Sequence, residues 1–152
     1  MLLYVLRQRG LTPDDLDRVL NKESGLLGVS GVSSDMRQLL AAARDGHERA
    51  RLALDIYAHR VRQTIGAMAA TLGGIDTLVF TAGIGENAAE VRQRICVGLE
   101  GIGLELDPEV NAAHRPDADV ARPGSRGRIL LIATREDLMI MRETVRVLGP
   151  TS

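Results

Sequence analysis

Asp76-Thr77-Leu78-Val79-Phe80-Thr81, followed without a break by Ala82-Gly83-Ile84-Gly85-Glu86-Asn87, is the stretch that decides the fold. Its first half is short, β-rich and almost continuously apolar, the pattern of a buried strand. Its second half predicts a sharp turn from that strand into a helix. Asn87 and Glu90 read as a capping pair for the helix, and Val91, Ile95 and Leu99 as its buried face. The same grammar recurs downstream. Arg128-Ile129-Leu130-Leu131-Ile132-Ala133 reads as a strand, and Thr134-Arg135-Glu136-Asp137 caps a last helix with Leu138, Met141, Val145 and Leu148 on one face. Helices alternating with buried strands predict a layered α/β fold. In such folds ligands bind beyond the carboxyl ends of the strands, where both junctions lie.

Working outward, His47 to Leu72 is the longest periodic stretch. Ala50, Ala53, Leu54, Tyr57, Val61, Ile65, Met68 and Leu72 follow the steps of three and four residues of a buried helix face, and Gly73-Gly74 ends it. Upstream, Leu2 to Arg9 predicts a short helix stopped by Gly10. Thr12-Pro13-Asp14-Asp15 opens another, to about Lys22. Ser24 to Ser34 reads as a turn-rich segment, and Asp35-Met36-Arg37 starts a helix to about Arg44. Between the two junctions, a short strand is expected near Leu104 and one or two helical turns over 107–113. A loop or hairpin arm is expected over 114–127.

Composition narrows the class. The 152 residues suffice for one ordinary domain. Nineteen basic residues balance twenty acidic ones, for a net charge of −1, which is no electrostatic footprint for nucleic acid. Two tyrosines, one phenylalanine and no tryptophan leave no platform for stacking bases. The single cysteine, Cys96, excludes an internal disulfide framework and fits a reducing compartment. No apolar run approaches the roughly 20 residues that span a bilayer. The expectation is a soluble cytoplasmic protein with no nucleic-acid or membrane partner.

Each motif admits a functional and a bland reading. Gly83 and Gly85 expose bare backbone, and a helix N-terminus behind them offers free N–H groups; a tight turn with no ligand would look the same. Gly83 to Ala88 also matches the relaxed dinucleotide pattern G-x-G-x-x-A, with Glu105 at the distance of a ribose-binding acid. Asp35 and Arg37 can hold a small molecule or simply cap a helix. Glu136 can hold Mg²⁺ together with substrate phosphates, or favour the first helical turn through the dipole. The three histidines show no ligand spacing, and Cys96 reads as packing.

Four segments taken together break this tie. Ser24-Gly25-Leu26-Leu27-Gly28-Val29-Ser30-Gly31, Ser34-Asp35-Met36-Arg37, Phe80-Thr81-Ala82-Gly83-Ile84-Gly85-Glu86-Asn87 and Thr134-Arg135-Glu136-Asp137-Leu138 stand in an order and at spacings that closely resemble the C-terminal part of the acetate kinases. The resemblance implies an actin-like, sugar-kinase-like ATPase domain of ribonuclease H-like type, with layered helices around a small mixed sheet. It implies transfer of the ATP γ-phosphoryl group to acetate, giving acetyl phosphate and ADP. Carried over residue by residue, Asp35, Met36 and Arg37 border the adenosine. Gly83, Ile84, Gly85, Glu86 and Asn87 wrap the nucleotide, and Glu136 helps hold Mg²⁺.

The family's catalytic Asp and His, its substrate-pocket arginines and its phosphate-contacting Gly-rich stretch have no counterpart in this sequence. The expectation is therefore a fragment with no catalytic residue of its own. Residues 1–135 would form part of a nucleotide-binding domain, and 136–152 a terminal helix that returns to an absent N-terminal domain. ATP or ADP and Mg²⁺ are the implied cofactors, acetate the substrate and a second copy of the chain the partner. The competing readings are a non-catalytic nucleotide-binding or dimerisation module and an NAD-dependent oxidoreductase domain.

Overall fold

The computed structural model describes residues 1–113 and 115–149; of the expectations above, those on His114 and on 150–152 lie outside them. The chain forms two compact units, Met1–Ile65 and the residues from Gly66 onward.

In the first unit, α1 (Leu2–Arg9) ends at Gly10 in the left-handed conformation. Thr12 and Asp15 then form a reciprocal capping box. The Asp15 N–H donates to Thr12 Oγ1 at 3.1 Å and the Thr12 N–H to Asp15 Oδ2 at 3.2 Å, satisfying donors that open α2 (Pro13–Arg18). A π-helical turn, Val19–Glu23, continues it. The segment expected to be turn-rich is instead mostly helical, as α3 (Gly25–Ser30). Tertiary contacts override the weak helix propensity of its glycines. Leu26, Leu27 and Val29 are partly covered, and the Arg49 guanidinium donates to the carbonyls of Val29 (2.8 Å) and Gly28 (3.3 Å) at the helix end.

Asp35 caps α4 (Met36–Arg44) as expected, and Met36, Leu39, Leu40 and Ala43 form its buried face. Helix α5 (Glu48–Leu72) runs from the first unit into the second. Its buried line passes through Ala50, Ala53, Leu54, Ala58, Ile65 and Ala69. Met68 and Leu72, expected in that line, are 53% and 76% exposed. Met68 stands about 100° around the helix from Ala69, so the small residue takes the buried position. Gly73 stops the helix at φ 75°, a conformation costly for any residue with a Cβ.

The second unit is built on a three-stranded sheet of order β1-β3-β2. Strand β1 (Thr77–Phe80) pairs in parallel with β3 (Arg128–Leu131), with Thr77 opposite Arg128 and Phe80 opposite Leu131. Strand β2 (Ala118–Asp119) pairs antiparallel with β3, which makes it the expected hairpin arm. The central strand is the buried one, with Ile129 and Leu131 sealed from solvent. Strand β1 departs from the expectation of full burial. It lies at the sheet edge and its Val79 is 48% exposed.

A short helix α6 (Ala82–Asn87) leads into α7 (Ala89–Cys96), which buries Val91, Ile95 and Cys96 beside Leu99, Leu104 and Val120. The expected Asn87–Glu90 cap is not formed. Asn87 belongs to α6 and its Nδ2 donates back to the Gly83 carbonyl at 2.9 Å, while Ala88 takes the cap position of α7. No strand forms at Leu104. A 3-10 turn (Glu100–Ile102) precedes it, its side chain is buried, and the only pairing nearby among the described residues is an isolated bridge between Leu106 and Ala121. Helix α8 (Pro108–Ala113) follows. The last helix, α9 (Glu136–Leu148), buries none of its residues. No helix among the described residues is long and apolar enough to cross a membrane.

Candidate functional site

Because β1 and β3 are parallel neighbours in register, the residues that follow them emerge side by side. Thr81 and Thr134 meet with their hydroxyl oxygens 3.1 Å apart. Thr134 is the hub of the junction. Its hydroxyl donates to Glu86 Oε1 at 2.5 Å, its N–H donates to the same oxygen at 2.7 Å, and its Oγ1 accepts the Ala82 N–H at 2.9 Å. A hydroxyl carries one proton and a carboxylate only accepts, so the Thr81 hydroxyl is the donor in the Thr81–Thr134 contact. The Glu86 side chain thus ties the helix after β1 to the backbone after β3. These two donations from Thr134 hold the Glu86 carboxyl below its ordinary range, so it is ionised at neutral pH.

Ala82 bears a strained backbone. It is the one non-glycine among the described residues with positive φ, at 59°. That conformation costs roughly 1–2 kcal/mol for an L-residue, and the bond from its N–H to Thr134 helps to hold it. The two glycines of the motif differ in what they do. A Cβ on Gly85 would come within 3.2 Å of the Phe80 carbonyl carbon, so Gly85 permits the close packing of α6 on the end of β1. A Cβ on Gly83 would meet nothing within 4 Å, so Gly83 presents open backbone.

That backbone faces a pocket of about 370 Å³ lined by Ala82, Gly83, Glu86, Thr134, Glu136 and Asp137. The pocket therefore unites Gly83, Glu86 and Glu136 from the residues singled out in the sequence. Ile84 is half-buried, Gly85 packs inward and Asn87 turns back onto Gly83. Beside the pocket, Asp117 accepts the Ala133 N–H at 2.8 Å and pairs with Arg135 at 2.5 Å; both interactions depress its carboxyl. Among the described residues no three metal-ligating side chains gather into a cage. Three carboxylates, Glu86, Glu136 and Asp137, line this pocket; a Mg²⁺ ion takes one or two carboxylates and completes its shell with water and phosphates.

Asp35 and Arg37 belong to the first unit. Arg37 donates to both Asp35 oxygens, from Nε at 3.1 Å and Nη2 at 2.6 Å, while its own N–H is capped by Oδ1 at 2.8 Å. These bonds hold the Asp35 carboxyl at about 2. The Arg37 side chain is exposed, and Met36 between them is 5% exposed, within the buried face of α4.

One residue of the site has a role the sequence does not show: Thr134, expected to help cap the last helix, instead bridges the two junctions, and Arg135 takes the cap position of α9 without a side-chain bond.

Comparison with known proteins fits this geometry. The model of the acetokinase family matches residues 1–142. The acetate kinase of Treponema denticola is 48% identical over 95% of this chain, and that of Gloeobacter violaceus 52% identical over 94%. These alignments cover 36% and 35% of the two relatives, so the chain spans about a third of their length. The crystal structure of Porphyromonas gingivalis acetate kinase superposes on 97% of the chain with a TM-score of 0.89 at 38% identity, covering 37% of that structure. A propionate kinase from Francisella tularensis superposes on 93% with a TM-score of 0.84 at 36% identity, covering 36% of that structure. With the strand order, the paired junctions and nearly the whole length of the chain matched in this way, the chain belongs to the acetokinase family.

Proposed function

We propose that this chain carries the nucleotide-facing part of an ATP:acetate phosphotransferase, which passes the γ-phosphoryl group of ATP to acetate and releases acetyl phosphate and ADP. The observation that carries the reading is the pocket at the ends of β1 and β3, with open Gly83 backbone on one wall and Glu136 on the other. Gly83 to Asn87 wrap the nucleotide, mainly by backbone. Glu136 shares a Mg²⁺ ion with the phosphates, and that ion supplies neutralisation of their charge. Asp35, Met36 and Arg37 border the adenosine. Residues 1–135 act as the nucleotide-binding part, and the helix from Glu136 packs against the portion of a full-length enzyme that this chain does not span. The uncovered apolar residues of α9 support that reading. The working enzyme is a cytoplasmic homodimer.

A dinucleotide-dependent oxidoreductase is disfavoured by local structure. The acid at the expected distance, Glu105, precedes an isolated antiparallel bridge and not the second parallel strand of a dinucleotide-binding unit.

Calorimetry with the 152-residue chain tests the proposal. ADP with Mg²⁺ is expected to bind weakly, Glu136→Gln to remove the Mg²⁺ dependence of that binding, and NADH not to bind. NADH binding tighter than ADP would reverse the assignment. The chain by itself is expected to show no acetate-dependent turnover in a coupled ADP-release assay, since phosphoryl transfer relies on charge-stabilising groups absent from it.

A further inference from the structure

A charged side chain in the core of the second unit has no place in the site as described. Arg92 is 2% exposed, and its four hydrogen-bond acceptors among the described residues are all carbonyl oxygens. Nη1 donates to the backbone carbonyls of Gly85 (2.8 Å) and Glu86 (2.9 Å). Nε donates to Asn111 Oδ1 (2.7 Å) and Nη2 to the Asn111 carbonyl (3.0 Å). Asn111 is itself anchored, its Nδ2 donating to the Ala89 carbonyl at 2.9 Å.

The bonding needs of α6 explain the arrangement. A helix leaves its last four carbonyls without intrahelical partners, and in a helix of six residues that is most of them. Here the Ala88 N–H takes the Ile84 carbonyl at 3.0 Å, and Arg92 takes the next two. A cation at that end also meets the negative pole of the helix. The planar fork is what makes the double grip possible, because one edge faces α6 while the other faces Asn111.

We propose that Arg92 is a positioning residue for the nucleotide pocket: it fixes the backbone of α6 from behind, and through it the wall formed by Ala82, Gly83 and Glu86. The proposal rests on the nucleotide reading above. The coupling is a continuous chain of bonds. Arg92 holds the Glu86 carbonyl, the Glu86 carboxylate holds the Thr134 hydroxyl and N–H, and Thr134 holds the strained Ala82 N–H. Glu86 is thus gripped at backbone and side chain from opposite directions. Arg92 contributes no atom to the pocket of about 370 Å³; it lines a neighbouring one of about 250 Å³ with Glu86, Asn87 and Asn111, on the other side of α6's last residues.

The test uses the 152-residue chain with Arg92→Lys, which keeps the charge but loses the fork, and with Asn111→Ala, which leaves Arg92 in place and removes the Oδ1 anchor of Nε. Two measurements are made without and with ADP. Amide hydrogen exchange in the absence of nucleotide should accelerate about tenfold or more at residues 84–88 in Arg92→Lys, and less in Asn111→Ala. Exchange at Ile129 and Leu131 should stay unchanged. ADP binding by calorimetry, measured well below each variant's melting temperature, should weaken in the same order. Equal exchange at 84–88 in all three proteins overturns the proposal. So does acceleration spread evenly over α6 and β3, which is the mark of a purely structural arginine. If Arg92→Lys does not fold, Asn111→Ala carries the same two criteria. Selective loosening of α6 in a chain that binds no ADP even unmutated would uphold Arg92 as the anchor of α6 and remove the nucleotide assignment instead.

Discussion

The eight residues of α7 bury Val91, Arg92, Ile95 and Cys96, one of them charged, whereas the thirteen residues of α9 bury none. Yet Leu138, Met141, Val145 and Leu148 repeat along α9 as regularly as Val91 and Ile95 do along α7. A periodic apolar face therefore says which side of a helix is to be covered, and nothing about what covers it. In α7 the cover is at hand, since α6 and α8 of the same unit pack against it. In α9, Met139, Ile140, Met141, Val145, Val147 and Leu148 all remain exposed.

The contrast can be broken by measurement. Ile95→Ala deletes a fully packed side chain and should destabilise the second unit by about 2–5 kcal/mol in urea unfolding; a cost near zero would mean that α7 is as loosely held as α9. Next in size is local opening. In a dilute, demonstrably monomeric sample, amides through Met139–Val147 should exchange about a hundredfold faster than those of Val91 to Ile95. Slow exchange there would show α9 to be held by its own chain. Val145→Ala should then change stability by less than about 0.5 kcal/mol, the usual range for a surface substitution.

The smallest effect is expected at Asp35. Its carboxyl lies at about 2, below its ordinary value of 3.8, because Arg37 donates to it from side chain and backbone. A group depressed in the folded state contributes its stability above the ordinary value and loses it as pH falls toward the folded one. Fraying of the start of α4 should therefore set in between pH 4 and pH 2 and be absent from Asp35→Asn, as judged by chemical shifts of Arg37 to Leu39. A titration of those shifts identical in both proteins would sink this assignment.

What the sequence disclosed was local. The capping box at Thr12 and Asp15, the cap at Asp35 and the stop at Gly73 are encoded within a few residues, and each stands where expected; both junctions follow their strands, but Ala82–Asn87 is a short helix where the sequence predicts a turn, and Thr134 does not cap α9. What it withheld depends on partners far along the chain. The end of helix α3 is capped by Arg49 from 20 residues away, and β1 exposes Val79 because Val79 shares with Thr77 the face of the strand that is left uncovered. The site divides in the same way. Gly83, Glu86 and Glu136 were legible as junction residues, but the role of Thr134 appears only once β1 and β3 lie in register. Arg92 was illegible because its acceptors are backbone carbonyls, which leave no trace in side-chain identity.

The contact between Thr81 and Thr134 joins positions 53 residues apart through a parallel strand pair. Closing a loop of that length precedes any reward from the contact, and parallel pairings are slow to form for this reason. The pocket walls are thus among the last parts of the unit to come together. During synthesis the wall at Ala82 to Asn87 emerges more than 40 residues before the Thr134 that braces it. A ligand of this pocket cannot guide the early steps of folding. It can only draw the finished unit forward, by an amount that grows with the logarithm of its concentration over its dissociation constant.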